Sequence, residues 1–229
     1  EGGVRVRILL DDMNASGLDP HLLALDAHPN IELRLYNPFR NRESVGRAFE
    51  LMRRMVSMNH RMHNKAWIAD GRVAIVGGRN IGEQYFSADA EVNFRDLALL
   101  LLGPAAQQAS SIFDAYWNST AAVPIATLGA GKPEALRALL AKVIHDARGV
   151  GARRYLGRVA HSPLARDYYS KVLHPHWSAG TQVVADPPMK RASDNRAEWL
   201  VGRLTSRISA APATRSATRS PITRTRGCS

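Results

Sequence analysis

Apolar residues follow a short, strand-like pattern over the first hundred residues. Short runs rich in Val, Ile and Leu are separated by Gly, Pro, Asn and Asp, which is typical of strands bounded by turns. Two stretches between these runs, 19–27 and 43–58, have helical spacing. The pattern predicts strands over 4–10, 31–36, 65–69, 73–76 and 96–102. Strands that alternate with helices indicate an α/β layered fold, with a mixed β-sheet flanked by helices.

The pattern becomes helical after residue 104. Helices are predicted over 105–118, 133–147, 164–173 and 195–209, with one short strand over 183–185. The 133–147 segment has a proline at a plausible first-turn position, and Leu136, Leu139 and Val143 recur at intervals of three and four residues. We therefore expect a first unit over 1–120 and a mostly helical continuation over 121–209.

Composition narrows the class of protein. The hydrophobic fraction of 45% is ordinary for a globular domain. The longest apolar run, 97–102, is far shorter than the roughly 20 residues of a transmembrane helix, so we expect no membrane span in this chain. The single cysteine, Cys228, excludes an internal disulfide and is compatible with a cytoplasmic location.

Positive charge is concentrated near the C-terminus. From Pro187 onwards nine Lys and Arg residues stand against Asp194 and Glu198, so this part accounts for +7 of the net charge of +11. Residues 210–229 are mainly Ala, Thr, Ser, Pro and Arg, which cannot bury enough apolar surface to fold. We predict a disordered basic tail there. It is either a segment that binds anionic lipid or nucleic acid, or the product of an altered reading frame, and we favour the second.

The most informative chemical groups lie in residues 63–80. Successive side chains of a strand alternate faces, so His63 and Lys65 are expected on the same side, where they could meet one phosphate. Asp70-Gly71 is a strong signal for a hairpin turn, because glycine tolerates the positive φ that such turns need. Each residue alone is compatible with a purely structural role, but the set predicts one site on a hairpin.

The returning strand of this hairpin ends in polar and small residues. Gly77-Gly78 should lie near the level of His63 and Lys65, where the absence of side chains lets backbone amides approach an anion. Asn80 can donate two N–H bonds to a phosphate oxygen without adding charge. These groups predict phosphoryl chemistry.

The pattern His-x-Lys-x4-Asp-x6-Gly-Gly-x-Asn, from His63 to Asn80, resembles the signature of the phospholipase D superfamily. The usual superfamily form has Gly-Ser where this chain has Gly77-Gly78. The phrases around Arg61 to Lys65 and Gly77 to Phe86 are similar to the bacterial cardiolipin synthase-like branch. The resemblance covers about residues 3–120, and more loosely the chain to Pro188.

The resemblance implies a ping-pong mechanism with no cofactor and no metal. His63 would attack phosphorus and form a phosphohistidine, while Lys65 and Asn80 would stabilise the charge on the transition state. Asp96 matches the acidic residue that orients the nucleophilic imidazole. Asp70 is a weaker candidate, expected to support the turn more than the chemistry.

The signature occurs once in the chain, although active sites of this family are assembled from two. None of the other seven histidines has Lys two residues later followed by a suitable Asp, and His174-Pro175-His176 lacks the further ligands of a metal site. Either a homodimer completes the site at a two-fold axis, or the chain is a fragment, incomplete at both ends, of a two-motif enzyme. We favour the fragment.

Three functions remain open at this point. The first is a cardiolipin synthase-type phosphatidyltransferase that acts on a phosphatidylglycerol-like phospholipid. The second is a phosphodiesterase that hydrolyses phospholipid or nucleic acid, and the third is an inactive phosphate-binding remnant. The resemblance favours phospholipid over nucleic acid. It also implies a cytoplasmic or peripheral location at the surface of the inner membrane.

Overall fold

The computed structural model describes residues 2–13, 15, 17–39, 62–86, 88, 91–163, 166, 167, 170, 176–178 and 180–188. All of them lie in one compact unit, Glu1–Asp194. A second unit, Asn195–Ser229, lies outside the described residues. So do the helices predicted over 43–58 and 195–209, most of the one predicted over 164–173, and the basic tail.

The first sheet is built around a central strand. Strand β1 (Val6–Asp11) pairs in parallel with β2 (Ile31–Tyr36), and helix α1 (Asp19–Asp26) makes the connection between them. On the other side of β2 lies an antiparallel strand of three residues. Because β2 has neighbours on both sides, its Leu33 and Leu35 are almost fully buried, and they pack in one cluster with Leu22 of α1.

The second sheet is an antiparallel meander that contains the signature. Strand β3 (Lys65–Ala69) pairs with β4 (Val73–Gly77), which pairs with β5 (Ala98–Leu102). The β3–β4 turn is closed by the Arg72 N–H, which donates to the Ala69 carbonyl at 2.9 Å. Its central residues have the positive φ of a type I′ turn, 52° at Asp70 and 62° at Gly71. The predicted hairpin is confirmed.

One face of the second sheet is covered and the other is exposed. Helix α2 (Pro104–Trp117) packs through Ala106 and Ala109 on Ala74 of β4. On the opposite face, a cross-strand row of apolar side chains remains in contact with solvent: Trp67 (61% exposed), Ile75 (42%) and Leu100 (59%). Lys65 lies on this outer face too, since it is two residues from Trp67 along β3.

The remaining elements are β6 (Ala122–Pro124), which completes the first sheet, and the helices α3 (Pro133–Ala147) and α4 (Val150–Ala160). Two short 3-10 turns, Glu83–Tyr85 and Ile125–Leu128, occur in the connections. Among the described helices, none is long and apolar enough to cross a membrane.

The α/β class with flanking helices is confirmed, and the described strands divide between two three-stranded sheets. The strand expected over 183–185 does not form: this segment is irregular and packs on α2, where the Val183 N–H donates to Gln108 Oε1 at 2.8 Å. β6 and α4 were not predicted from the sequence.

Candidate active site

The strand register brings the parts of the signature to one end of the second sheet. Lys65, the first residue of β3, lies opposite Gly77, the last residue of β4. Gly77 in turn lies opposite Ala98, the first residue of β5. Asp96 comes two residues before Ala98, so it lies at this same end of the sheet. This register confirms the prediction that the glycine pair lies near the level of Lys65.

His63 lies two residues before β3 and is exposed to solvent. Its carbonyl oxygen accepts a hydrogen bond from Lys65 Nζ at 2.9 Å, which ties the lysine back to the backbone of the histidine. Among the residues that the structure describes, no side chain is hydrogen-bonded to the His63 imidazole. The ring is therefore accessible to a ligand.

Asp96 lies directly over the second glycine of the pair. A Cβ atom built on Gly78 would lie 2.7 Å from Asp96 Oδ1 and 2.8 Å from its Cγ, and closer still to Oδ2. The carboxylate is oriented by the Leu97 N–H, which donates to Oδ1 at 2.7 Å. Arg79 Nη2 also donates to the Asp96 carbonyl at 3.2 Å. Only a residue without a side chain permits this approach.

The glycine pair therefore lies against the start of β5, whereas the sequence analysis expected its backbone amides to approach an anion. The Gly78 N–H donates to the Leu97 carbonyl at 3.4 Å and is not directed at an open anion site. A Cβ on Gly77 would collide with that carbonyl and would lie 2.9 Å from Ala98 Cα. Both glycines thus allow the start of β5 to pack closely against the end of β4.

Asn80 is held by an aromatic side chain that sequence reasoning did not select. Its Nδ2 donates to Tyr85 Oη at 3.0 Å, and the Tyr85 ring packs against Phe94 with centroids 5.2 Å apart. The spacing of five residues between Asn80 and Tyr85 was visible in the sequence. The aromatic pair limits the orientations open to the amide.

Asp70 is not part of this group. It lies in the β3–β4 turn, at the other end of β3 from Lys65, so about 16 Å of extended strand separates the two residues. Its positive φ matches the expected role of supporting the turn.

The charges of two carboxylates act on Lys65. Partial burial lowers the pKa of its ammonium, while the charges of Asp96 and Asp11 oppose that effect and raise the pKa. Asp11 is the last residue of β1 in the first sheet, and sequence reasoning did not select it. No regular spacing links it to His63, although it is one of two adjacent aspartates at a strand end.

The residue between His63 and Lys65 faces the other way. Asn64 is hydrogen-bonded to Tyr116 of α2, whose hydroxyl donates to the Asp186 carbonyl at 3.0 Å. Burial raises the pKa of Tyr116, and the Asn64 hydrogen bond partly offsets that rise. The covered side of the His63 segment is thus tied to α2 and to residues near the end of the described chain.

The described residues include no group of three or more His, Cys, Asp or Glu side chains placed to hold a metal ion. The structure brings a cation, Lys65, and a carboxylate, Asp96, to one end of the second sheet, with the exposed His63 two residues before β3 and Asn80 three residues after β4. This set can bind a phosphate ester and offer a nitrogen nucleophile.

Comparisons with known proteins point to one family. A family model described as "Cardiolipin synthase, PLD-like domain" matches residues 1–117. The chain is similar to Cardiolipin synthase C of Escherichia coli (strain K12), with 39% identity over 194 residues, which are 82% of this chain and 39% of that protein. It is also similar to a cardiolipin synthase of Staphylococcus aureus, with 34% identity over 125 residues, 53% of this chain and 23% of that protein. The chain thus spans less than half the length of these relatives.

Proposed function

Because the chain belongs to the cardiolipin synthase family of phospholipase D-like domains, we propose that it supplies half of the active site of a phosphatidyltransferase. The observation that carries the proposal is the strand register, which brings Lys65, Gly77 and Asp96 together beside the exposed His63. A site assembled from one strand end in this way fits one phosphodiester.

The proposed reaction has two displacement steps at phosphorus. A ring nitrogen of His63 forms a bond to phosphorus, the ester P–O bond breaks, and the first alcohol leaves with a proton from a general acid. An acceptor alcohol then gives its proton to a base and forms the new P–O bond as the P–N bond breaks. Lys65 and Asn80 would hold the non-bridging oxygens, and Asp96 would orient the imidazole once substrate has entered.

The general acid would come from a second copy of the signature. This chain carries one copy, so a second subunit or a further part of a longer protein would supply the other histidine. Sedimentation of the purified chain distinguishes these cases: a catalytically active dimer supports completion by a second subunit.

The surroundings of Lys65 support a phospholipid substrate. The same sheet face carries the exposed Trp67, Ile75 and Leu100, so an apolar surface lies next to the cation. A phosphatidylglycerol-like lipid offers a phosphodiester beside acyl chains, whereas a nucleic acid backbone has no comparable apolar part. We therefore place the protein at a membrane surface, as a peripheral enzyme.

Hydrolysis is the second candidate, because His63 is exposed and water can reach a phosphohistidine there. The test is incubation of the chain with vesicles of labelled phosphatidylglycerol. Cardiolipin as product supports transfer, whereas phosphatidic acid supports hydrolysis.

The variant His63→Ala should abolish either product, while His145→Ala, which removes an exposed histidine of α3, should leave turnover unchanged. Denaturing gels run at alkaline pH should retain the label on the chain if a phosphohistidine forms. Equal product from the wild type and from His63→Ala would exclude His63 as the nucleophile. A wild-type chain that sediments as a monomer and gives no product is the result expected of a fragment or of a phosphate-binding remnant, whereas a dimer without product would favour the remnant.

A further inference from the structure

Two adjacent carboxylates at the end of β1 each bind a backbone amide that is distant in sequence. Asp12 Oδ2 accepts from the Phe39 N–H at 2.7 Å, and Asp11 Oδ2 accepts from the Met62 N–H at 3.1 Å. The two bonds span 27 and 51 residues of the sequence. The end of β1 therefore fixes two other segments of the chain.

The two aspartates differ in what they fix. Asp12 is almost completely buried, at 1% exposure, and holds the residue that follows β2 by three positions. Asp11 binds the residue that immediately precedes His63. Since β1 belongs to the first sheet and β3 to the second, this bond connects the two sheets at the candidate nucleophile.

The orientation of the Asp11 carboxylate is itself restrained. Its other oxygen, Oδ1, accepts from the Met13 N–H at 3.0 Å, a local side chain to backbone bond across two residues. With one oxygen engaged on each side, the carboxylate has little freedom to rotate. It can therefore transmit the position of β1 to Met62.

Asp11 also acts on the second member of the signature. Its charge favours the protonated form of Lys65, against the effect of burial, and Lys65 in turn is bonded to the carbonyl of His63. Asp11 thus influences the His63 backbone from two directions, through the Met62 amide and through the lysine.

We infer that Asp11 is a positioning residue for the candidate active site: it fixes the backbone of His63 and keeps Lys65 in place without contacting the substrate. The expected effect on turnover rests on the proposed function. The expected effects on the Met62 amide and on Lys65 do not. A displacement of about 1 Å at a nucleophile can reduce turnover by roughly 100-fold. We expect Asp11→Ala to lower kcat by roughly 10- to 100-fold and to change KM much less.

Asp26→Ala is the matched control. Asp26 Oδ1 accepts from the Leu33 N–H at 2.8 Å, so this variant also removes a bond between a carboxylate and a backbone amide, but one that joins α1 to β2, seven residues later in the sequence. A general loss of stability would affect both variants alike. Only Asp11→Ala should affect the site.

Two readouts do not depend on turnover. Amide hydrogen exchange at Met62 should accelerate in Asp11→Ala and stay at the wild-type rate in Asp26→Ala. In a titration of ¹³C-labelled lysine side chains, with the signal assigned by its loss in Lys65→Arg, the pKa of Lys65 should fall in Asp11→Ala only. Asp11→Asn should show the same fall in pKa and a smaller change in exchange, because its amide oxygen can still accept from Met62.

The inference requires that both the Met62 exchange rate and the Lys65 pKa change in Asp11→Ala. If either the Met62 exchange rate or the Lys65 pKa stays at the wild-type value in Asp11→Ala, the inference is wrong. If the alanine variant does not fold, the same two measurements on Asp11→Asn decide the question. A wild-type protein that holds both halves of the site, as a dimer or within a longer chain, and turns over no lipid would contradict the proposed function alone. In an active wild type, an unchanged kcat in Asp11→Ala would also overturn the positioning role.

Discussion

Adding one methyl group at Gly78 should test how tightly the end of β4 fits against Asp96. The φ of Gly78 does not lie in the left-handed region, so alanine meets no backbone restriction there, and the conflict is one of space. The new Cβ would lie 2.7 Å from Asp96 Oδ1. The carboxylate must therefore rotate away and lose its 2.7 Å bond to the Leu97 N–H.

The expected magnitude follows from two opposing effects. Overpacking that forces a side chain out of place costs about 1–3 kcal/mol. Replacement of glycine by alanine recovers about 0.4–1 kcal/mol, because it reduces the conformational freedom of the unfolded chain. We expect Gly78→Ala to lower the free energy of unfolding by about 1.5 kcal/mol.

The control is Gly157→Ala in α4. In the described part of the chain, a Cβ at Gly157 would have no neighbour within 4 Å outside its own helix. Alanine is preferred over glycine inside a helix by about 0.5–1 kcal/mol, so this variant should gain stability. The two substitutions should thus differ by about 2 kcal/mol in urea denaturation, with unchanged m values.

A double-mutant cycle identifies the cause. In an Asp96→Gly background the carboxylate is gone, and Gly78→Ala should no longer be destabilising. If Gly78→Ala is as stable as the wild type, or equally destabilising with and without the Asp96 side chain, then the close approach of Gly78 and Asp96 is not what limits this position.

Two further predictions concern titratable groups. Asp96→Asn removes a charge that raises the pKa of Lys65, so this pKa should fall further below its ordinary value of 10.5 in a ¹³C titration. Since folded Lys65 loses its proton at a lower pH than unfolded Lys65, the unfolded state binds more protons between those two pKa values. The free energy of unfolding should therefore rise with pH in that window, and a Lys65→Met variant that keeps the whole rise would contradict the assignment. Tyr116→Phe removes the hydroxyl that donates to the Asp186 carbonyl and should cost about 1 kcal/mol in urea denaturation; no loss would show that the bond does not contribute.

Local sequence signals were sufficient for the second sheet. The short apolar runs of β3 and β4 and the Asp70-Gly71 pair determined the hairpin, and the hairpin register determined the position of Gly77 beside Lys65. These are contacts between residues close in sequence, for which turn chemistry and period carry most of the information.

Elements that depend on distant contacts were missed. β6 has three residues, too few for a periodic signal, and it exists because it pairs with β2 about ninety residues earlier. α4 contains Gly151 and Gly157, which weaken a helical pattern. The 183–185 run has the apolar character of a strand, but its neighbour is α2 and its backbone bonds to a glutamine side chain.

The same distinction applies to the candidate site. His63, Lys65 and Asn80 were found by their spacing, and Asp96 by resemblance. Asp11 lies more than fifty residues before Lys65 in the sequence, so only the packing of the two sheets places it there. Tyr85 was missed because a tyrosine near an apolar run is usually part of a core.

The paired aspartates at the end of β1 also bear on how such a protein can change during evolution. Phe39 and Met62 are both bonded to them, so the two ends of the intervening chain are held independently of its length. A substitution that removes the acceptor oxygen at either position would release one of these two ends from β1. Relatives that keep this arrangement are therefore expected to carry Asp or Asn, whose side chains can both accept from a backbone N–H, at the two positions.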